Sequence, residues 1–221
     1  MSATEKDNAS QAPNEGDDYL APLGASSHGR LVFIDGVDGL TVRAGAAQDA
    51  LLQARFTRRP LQIWAQNGIV TVHSRHLPLI DHLLSRRPSP PDFCLNSSIP
   101  WEFEFHGGVS QLNGDLSQIL LRSLDILSGA SRIRLNLSAP SQTTFIHIAG
   151  GISGGVLHLP PQTAVRLQIS GGASRLAFAG QQFGAIGGET SLQSPDFDSA
   201  KSRYDICVSG GVSHLKIDRN L

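Results

Sequence analysis

One phrase recurs five times along this chain, and it limits the possible folds more than any other feature. An alternating apolar strand runs into a glycine-rich bend, an aliphatic residue and a serine follow, and a second alternating strand begins. The copies occupy residues 103–110, 124–131, 146–153, 167–174 and 206–213. With Gly108, Gly129, Gly151, Gly172 and Gly211 as a ruler, the steps are 21, 22, 21 and 39 residues. The last step reads as two rungs, one of which has lost its signature. A fixed period of this size, with two short strands per repeat, predicts an all-β, single-stack β-solenoid (β-helix-like) with rungs of about 21 residues and Gly-Gly-x-Ser bends.

The columns agree with that reading. Three residues before the ruler stand Phe105, Ile126, Ile148, Ile169 and Val208, and five before it stand Phe103, Leu124, Ile146, Leu167 and Ile206. Between them come Glu104, Asp125, His147, Gln168 and Cys207, which are mainly polar. This is the period-two pattern of half-buried strands. At the bend, glycine supplies positive φ or lets neighbouring backbones approach closely. The serine beside it is suited to bonding backbone groups left free by the turn. Beyond the bend, Leu112, Ile133, Leu176 and Leu215 point inward. Arg132, Arg134, Arg175, His214 and Lys216 point out and make that side basic, while Glu102, Glu104, Asp125 and Asp205 tint the other side acidic. A lone rung buries too few apolar side chains to offset its backbone entropy, so stability belongs to the stack.

Upstream the pattern loosens. Residues 31–36 and 39–42 read as one hairpin or rung. Asn67-Gly68 between two alternating runs signals a tight hairpin turn. Residues 46–54 suggest a helical turn and 77–87 a short helix ended by Pro88-Ser89-Pro90-Pro91. Residues 1–18 carry five acids against Lys6 and no apolar period, and residues 1–28 are expected to form a disordered acidic tail. Residues 29–221 are expected to form one solenoid domain with an irregular or short helical excursion near 77–98. The last strand, Leu215-Lys216-Ile217, is expected to be an uncapped end open to self-association or partner docking.

The quoted motifs also resemble a known family. Leu95-Asn96, Pro100-Trp101-Glu102, the repeated Gly-Gly-Val/Ala-Ser, Phe183-Gly184-Ala185-Ile186-Gly187-Gly188 and Arg203-Tyr204-Asp205 are similar to bacterial, especially actinobacterial, β-solenoid proteins of the toast-rack or putative-adhesin type. Such domains lie at the C-terminal ends of cell-envelope stress-response membrane proteins. The resemblance covers roughly residues 29–221 and implies the fold. It implies no catalytic residues.

Three constellations invite chemistry. Gly151-Ile152-Ser153-Gly154-Gly155 fits the G-x-S-x-G nucleophile pattern, with Asp196, Asp205 and His214 following in hydrolase order. That chemistry needs a strand–turn–helix, whereas Val156-Leu157-His158-Leu159-Pro160-Pro161 is strand-like, so Ser153 reads as a corner serine. His73, His76, Asp81 and His82 are of metal-ligating types but match no ligand spacing. Glu104 and Asp125 place two acids on adjacent rungs, as a carbohydrate-active β-helix enzyme requires, yet no long loops frame a cleft. Arg55, Arg58, Arg59, Arg75, Arg86 and Arg87 make the N-terminal half basic without an aromatic platform for bases.

The expectation is therefore a non-catalytic scaffold or protein-interaction module. It self-associates or docks to an envelope-associated complex, with a carbohydrate-active enzyme as the alternative. No catalytic, cofactor-binding or metal residue is assigned, no cofactor or nucleic acid is expected, and no small-molecule ligand can be named. Cys94 and Cys207 read as unpaired thiols in a reducing compartment. No apolar run is long enough to span a bilayer. With no secretory leader legible at the N-terminus, the expected address is cytoplasmic, or peripheral to the inner face of the membrane.

Overall fold

The computed structural model describes residues 18–56, 61–74 and 89–219. These form nineteen strands and no helix. The recurring unit is a leading strand, the glycine corner and a trailing strand. Six units are present: β2 (Gly29–Phe33) with β3 (Val37–Ala44), β8 (Trp101–Phe105) with β9 (Val109–Leu116), β10 (Leu121–Ile126) with β11 (Ala130–Leu137), β12 (Thr143–Ile148) with β13 (Ile152–His158), β14 (Ala164–Ile169) with β15 (Ala173–Phe178), and β18 (Arg203–Val208) with β19 (Val212–Asp218). Leading strands pair in parallel in one sheet and trailing strands pair in parallel in the other. Residues 31–42 are thus a sixth rung rather than a hairpin, with Asp35-Gly36 at its corner.

The alternating columns work as expected. Phe103, Phe105, Leu124, Ile126, Ile146, Ile148, Ile206 and Val208 are all at most 3% exposed. One core runs between the sheets from Tyr19 to Ile217. Phe33 stacks on Phe105 of the next rung at 4.9 Å and meets Phe93 of the opposite sheet edge-on at 5.5 Å. Two columns contain a glycine where a neighbour's side chain intrudes. A Cβ on Gly114 would lie 2.6 Å from Leu135, and one on Gly155 would lie 2.8 Å from Leu215.

The rungs are not stacked in chain order. Along the leading sheet the order is β2, β8, β10, β12, β18, β14, and the trailing sheet runs β3, β9, β11, β13, β19, β15. The last rung in sequence is slotted between β12/β13 and β14/β15. The 39-residue step therefore holds no lost parallel rung. It holds β16 (Gln181–Ile186), which folds back antiparallel on β15, and β17 (Thr190–Gln193), which folds back antiparallel on β14. These two strands retrace a rung in reverse and close that end with Gln181, Gln182, Ser191 and Gln193, a polar cap of the kind stacked repeats need. The expected open C-terminal edge is overturned for the same reason. β19 has a parallel partner on each side.

The other end is closed by antiparallel strands as well. β5 (Leu61–Gln66) and β6 (Ile69–Ser74) form the hairpin signalled by Asn67-Gly68, whose φ angles of 51° and 81° are those of a tight left-handed turn. Residues 46–54 are not a helical turn, because β4 (Ala50–Arg55) is a strand antiparallel to β7 (Asp92–Leu95). β1 (Asp18–Pro22) pairs with β4, buries Tyr19 and Ala21, and moves residues 18–22 out of the expected disordered tail. The excursion expected near 77–98 contains β7. Residues 77–88 of it, including the predicted short helix, lie outside the described residues, as do residues 1–17.

Asn96 is the hub of this end. Its side-chain amide donates to the Ala50 and Gln48 carbonyls at 2.7 and 3.2 Å, and its Oδ1 accepts from Ser98 N–H and Oγ–H at 2.9 and 2.6 Å. Its backbone carbonyl accepts the indole N–H of the fully buried Trp101 at 2.8 Å.

A candidate binding groove along the corners

The corners superimpose rung on rung. Amides cross the gaps from Val109 to the Gly129 carbonyl, Ala130 to Gly151, Ile152 to Gly211 and Val212 to Gly172, at 2.9–3.0 Å. Such spacing tolerates no side chain at the first glycine of the pair. A Cβ on Gly210 would lie 2.6 Å from the Gly151 nitrogen, and one on Gly107 would lie 2.4 Å from the Gly36 nitrogen. Close approach, more than positive φ, accounts for the glycines, since Gly172 (φ 78°) is the only ruler glycine in the left-handed region. Five rungs with bare corners leave a groove of about 820 Å³, closed at one end by Ile186, Gly187 and Gly188 of the reversed rung.

Register then makes a row of hydroxyls. Ser110, Ser131, Ser153, Ser213 and Ser174 are successive in-register partners, with Asp38 continuing the row beside Ser110. At the spacing of paired strands the five serines span about 19 Å. Ser153, at the centre, is exposed, and the other four are half-buried.

The residue after each serine is left-handed in every rung: Gly39 (φ 78°), Gln111 (56°), Arg132 (51°), Gly154 (72°), His214 (55°) and Arg175 (52°). This kink puts serine and successor on the outer face before the strand resumes with an inward residue. Gln111 donates to Asp38 at 2.7 Å and Arg132 to the Ser110 hydroxyl at 3.1 Å, each reaching back one rung. Arg175 donates to His214 Nε2, so His214 carries its proton on Nδ1 and donates to Ser213 Oγ at 2.8 Å. Ser174 in turn faces Ser213 at 3.4 Å. Gly154 has no side chain to extend over the row, and the nearest cations are Arg132 one rung to one side and Arg175 two rungs to the other.

The same geometry explains the nucleophile-like motif. Gly154 is the kink residue of its rung, Ser153 lies in β13 outside the left-handed region, and the strand continues where the hydrolase turn needs a helix. Its supposed partners are engaged elsewhere. Asp205 pairs with Arg166, Asp196 faces Arg219 at 3.9 Å, and His214 is held by Arg175 and Ser213.

Across the corner, the outer face of the leading sheet is acidic and largely paired. Glu104 and Asp125 are in register on adjacent strands. Arg30, followed by His106, bonds Glu104 and holds its carboxyl below the usual carboxylate range, the opposite of what a glycosidase general acid needs. Of the candidate metal ligands, His73 sits 3.5 Å from Asp35 and edge-on to Trp64, while His76, Asp81 and His82 lie outside the described residues. Among the described residues no three such side chains converge. Of the six arginines Arg55, Arg58, Arg59, Arg75, Arg86 and Arg87, Arg55 pairs with Asp18, and the other five are outside the described residues. Cys94 and Cys207 are free and lie on opposite sheets, and burial pushes the Cys94 thiol up. No described helix is long and apolar enough to cross a membrane.

Residues 89–159, which span β7 to β13 and three of the corners, match the family model of the N-terminal domain of toast_rack. That stretch of the chain is similar to the toast_rack N-terminal domain. The chain's fold is also that of a crystal structure from Clostridium sporogenes described as a putative cell adhesion protein, with a TM-score of 0.67 at 17% identity over 93% of this chain and 100% of the other. No curated protein matches the sequence. The matched segment includes Ser110, Ser131 and Ser153. The slotted rung that supplies Ser213, and Ser174 beyond it, lies outside the matched residues.

The groove is not evident from sequence alone because each glycine and serine has a sufficient explanation as turn chemistry. Two signals were legible. Asp38-Gly39 repeats the serine and kink positions of the later rungs, and four of the six kink residues are not glycine.

Proposed function

We propose that this protein is a non-catalytic interaction module, a solenoid-like stack of rungs whose working surface is the corner groove. The observation that carries this reading is the in-register row of five serines, left open in a structure whose sheet ends are closed by antiparallel strands. No serine of the row is set up as a nucleophile, and the paired acids of the opposite face are poorly suited to proton transfer. The adhesion role in the name of the Clostridium sporogenes protein supports binding over catalysis. Docking to an envelope-associated complex and self-association are the two forms this takes, both through the groove, because β19 is interior.

Filling the groove tests the proposal. Ser153→Trp places a large side chain at the most exposed point of the row. It is expected to leave the melting temperature nearly unchanged while abolishing co-sedimentation of the purified protein with envelope fractions of its native host. Unchanged co-sedimentation contradicts the reading. Sedimentation velocity of the same two proteins separates self-association from docking. The cytoplasmic address expected from the sequence stands as a proposal of its own. Fractionation of the native host tests it against the outer surface, where an adhesive role would operate.

A further inference from the structure

The kink row contains an unexplained cost. A residue with a side chain is less stable in the left-handed region than glycine by about 1–2 kcal/mol. Gly39 and Gly154 show that this fold accepts glycine there. Arg132, His214 and Arg175 nevertheless hold the position on three of the four rungs at the capped end of the groove. Backbone strain retained at a cluster of like side chains points to what those side chains do.

Two of them, Arg132 and Arg175, bring positive charge to the row of hydroxyls. Arg132 lies one rung to one side of Ser153, and His214 and Arg175 lie one and two rungs to the other. Arg132 spends one bond on a neutral hydroxyl and Arg175 one on a neutral imidazole, so their charges are not neutralised by these contacts. Arg134 and Lys216 lie two residues farther along their strands, away from the serine row and outside the groove lining, and Lys216 is held by Asp218 at 2.6 Å. Asp38 sits at the far end of the row, where Gln111 bonds it.

A ligand suited to this surface is long, narrow, regularly repeating and anionic. The amides of Val109, Ala130, Ile152 and Val212 are already bonded between rungs, so an extended peptide finds no free ladder edge at these positions. The lining has no aromatic side chain on which nucleic-acid bases would stack. Each serine both donates and accepts, which matches sugar hydroxyls. The strand repeat of about 4.8 Å is close to the length of one sugar unit in an extended glycan.

We infer that the groove binds an acidic polysaccharide chain laid along the serine row. Sugar hydroxyls bond the serines, and carboxylates face Arg132 on one side of Ser153 and Arg175 on the other. This rests on the reading of the groove as a binding surface and adds the class of ligand.

Calorimetric titration of the full chain with a galacturonic-acid hexamer is the test. A neutral glucose hexamer and a uridine hexanucleotide serve as the other two arms. Arg132→Asn/Arg175→Asn removes both charges while keeping a residue that tolerates left-handed backbone, and Arg134→Asn is the control for surface charge outside the groove. The acidic hexamer is expected to bind at least tenfold more tightly than either other oligomer. The double variant should weaken it at least tenfold with its melting temperature unchanged, and Arg134→Asn should weaken it less than twofold. Equal binding of the neutral hexamer or of the nucleotide, or an equal loss in Arg134→Asn, overturns the inference. Absence of acidic-hexamer binding, while Ser153→Trp still abolishes envelope co-sedimentation, refutes the glycan and leaves the groove standing. Absence of both effects refutes the groove as well.

Discussion

The stretch from Trp101 to His158 and the stretch from Ala164 to Asp218 use the same phrase and are assembled differently. In the first, each rung lies on the one before it in sequence. In the second, the final rung enters between two earlier ones, and a reversed rung takes the end of the stack. The phrase therefore specifies a rung, with its buried columns, bare corner and kink, but does not specify a neighbour. Neighbours are interchangeable because every rung offers the same contacts, a parallel ladder and an aliphatic column. What sets the order in the second stretch is the segment 181–193. Its antiparallel pairing with β14 and β15 occupies their outer edges, and the inner side is the one left to β18 and β19.

The largest expected effect follows from that order. A stack that loses a terminal repeat loses roughly that repeat's share of stability. Deleting residues 202–221 instead removes an interior rung and parts β13 from β15. The truncated chain is expected to lose its cooperative unfolding transition in a thermal melt followed by circular dichroism. A transition retained with only a modestly lower midpoint would mean that the last rung is peripheral.

Single corners give the next effect. Gly210→Val forces a side chain into the backbone of Gly150 and Gly151, and about 3 kcal/mol of destabilisation is expected. Gly184→Val, in the reversed rung where a Cβ meets nothing within 4 Å, should cost less than about 0.5 kcal/mol. Urea unfolding of the two variants compares them directly, and similar midpoints would count against the slotted rung. Gly172→Val is expected to fall between them, at about 1–3 kcal/mol, through its left-handed backbone and the Ile186 carbonyl 2.9 Å from the added Cβ. A melting midpoint at the wild-type value would show that the cap does not bear on that corner.

The smallest effect belongs to the ordered stretch and depends on pH. Arg30 and His106 lower the folded carboxyl of Glu104 below its ordinary value of 4.5. The resulting stabilisation is complete above that value and is lost as pH falls through the lower folded one. Wild type should therefore exceed Glu104→Gln in stability at neutral pH, and the difference should shrink below about pH 4.5. A difference that stays constant down to pH 3 would show that the ion pair adds nothing.

What could be read from the sequence divides along the same line. The buried columns, the outward acids and cations and the Asn67-Gly68 hairpin were legible because alternation and turn chemistry are local. The order of the rungs was not, since Ile146 packs as well beside Ile206 as beside Leu167. β1 was hidden by its acidic surroundings, although Tyr19 and Ala21 already alternate with Asp18, Leu20 and Pro22. Asn96 belongs to the Leu95-Asn96 motif on which the family resemblance rests. Its reason, the bonds that tie residues 48–50 to Ser98, appears only in three dimensions. The serine row needed register, because a serine after a glycine looks the same alone as it does stacked on four others.

The central claim is that Ser213 stands between Ser153 and Ser174 and makes the row continuous. Paired cysteines test it most directly, in a background with Cys94 and Cys207 changed to serine. Partners on adjacent parallel strands lie within the Cα separation a disulfide accepts, and partners two strands apart do not. Mild oxidation is expected to cross-link Ser153→Cys with Ser213→Cys and to leave Ser153→Cys with Ser174→Cys unlinked. Cross-linking of the second pair and not the first would mean that the rungs stack in chain order, and the account would be wrong.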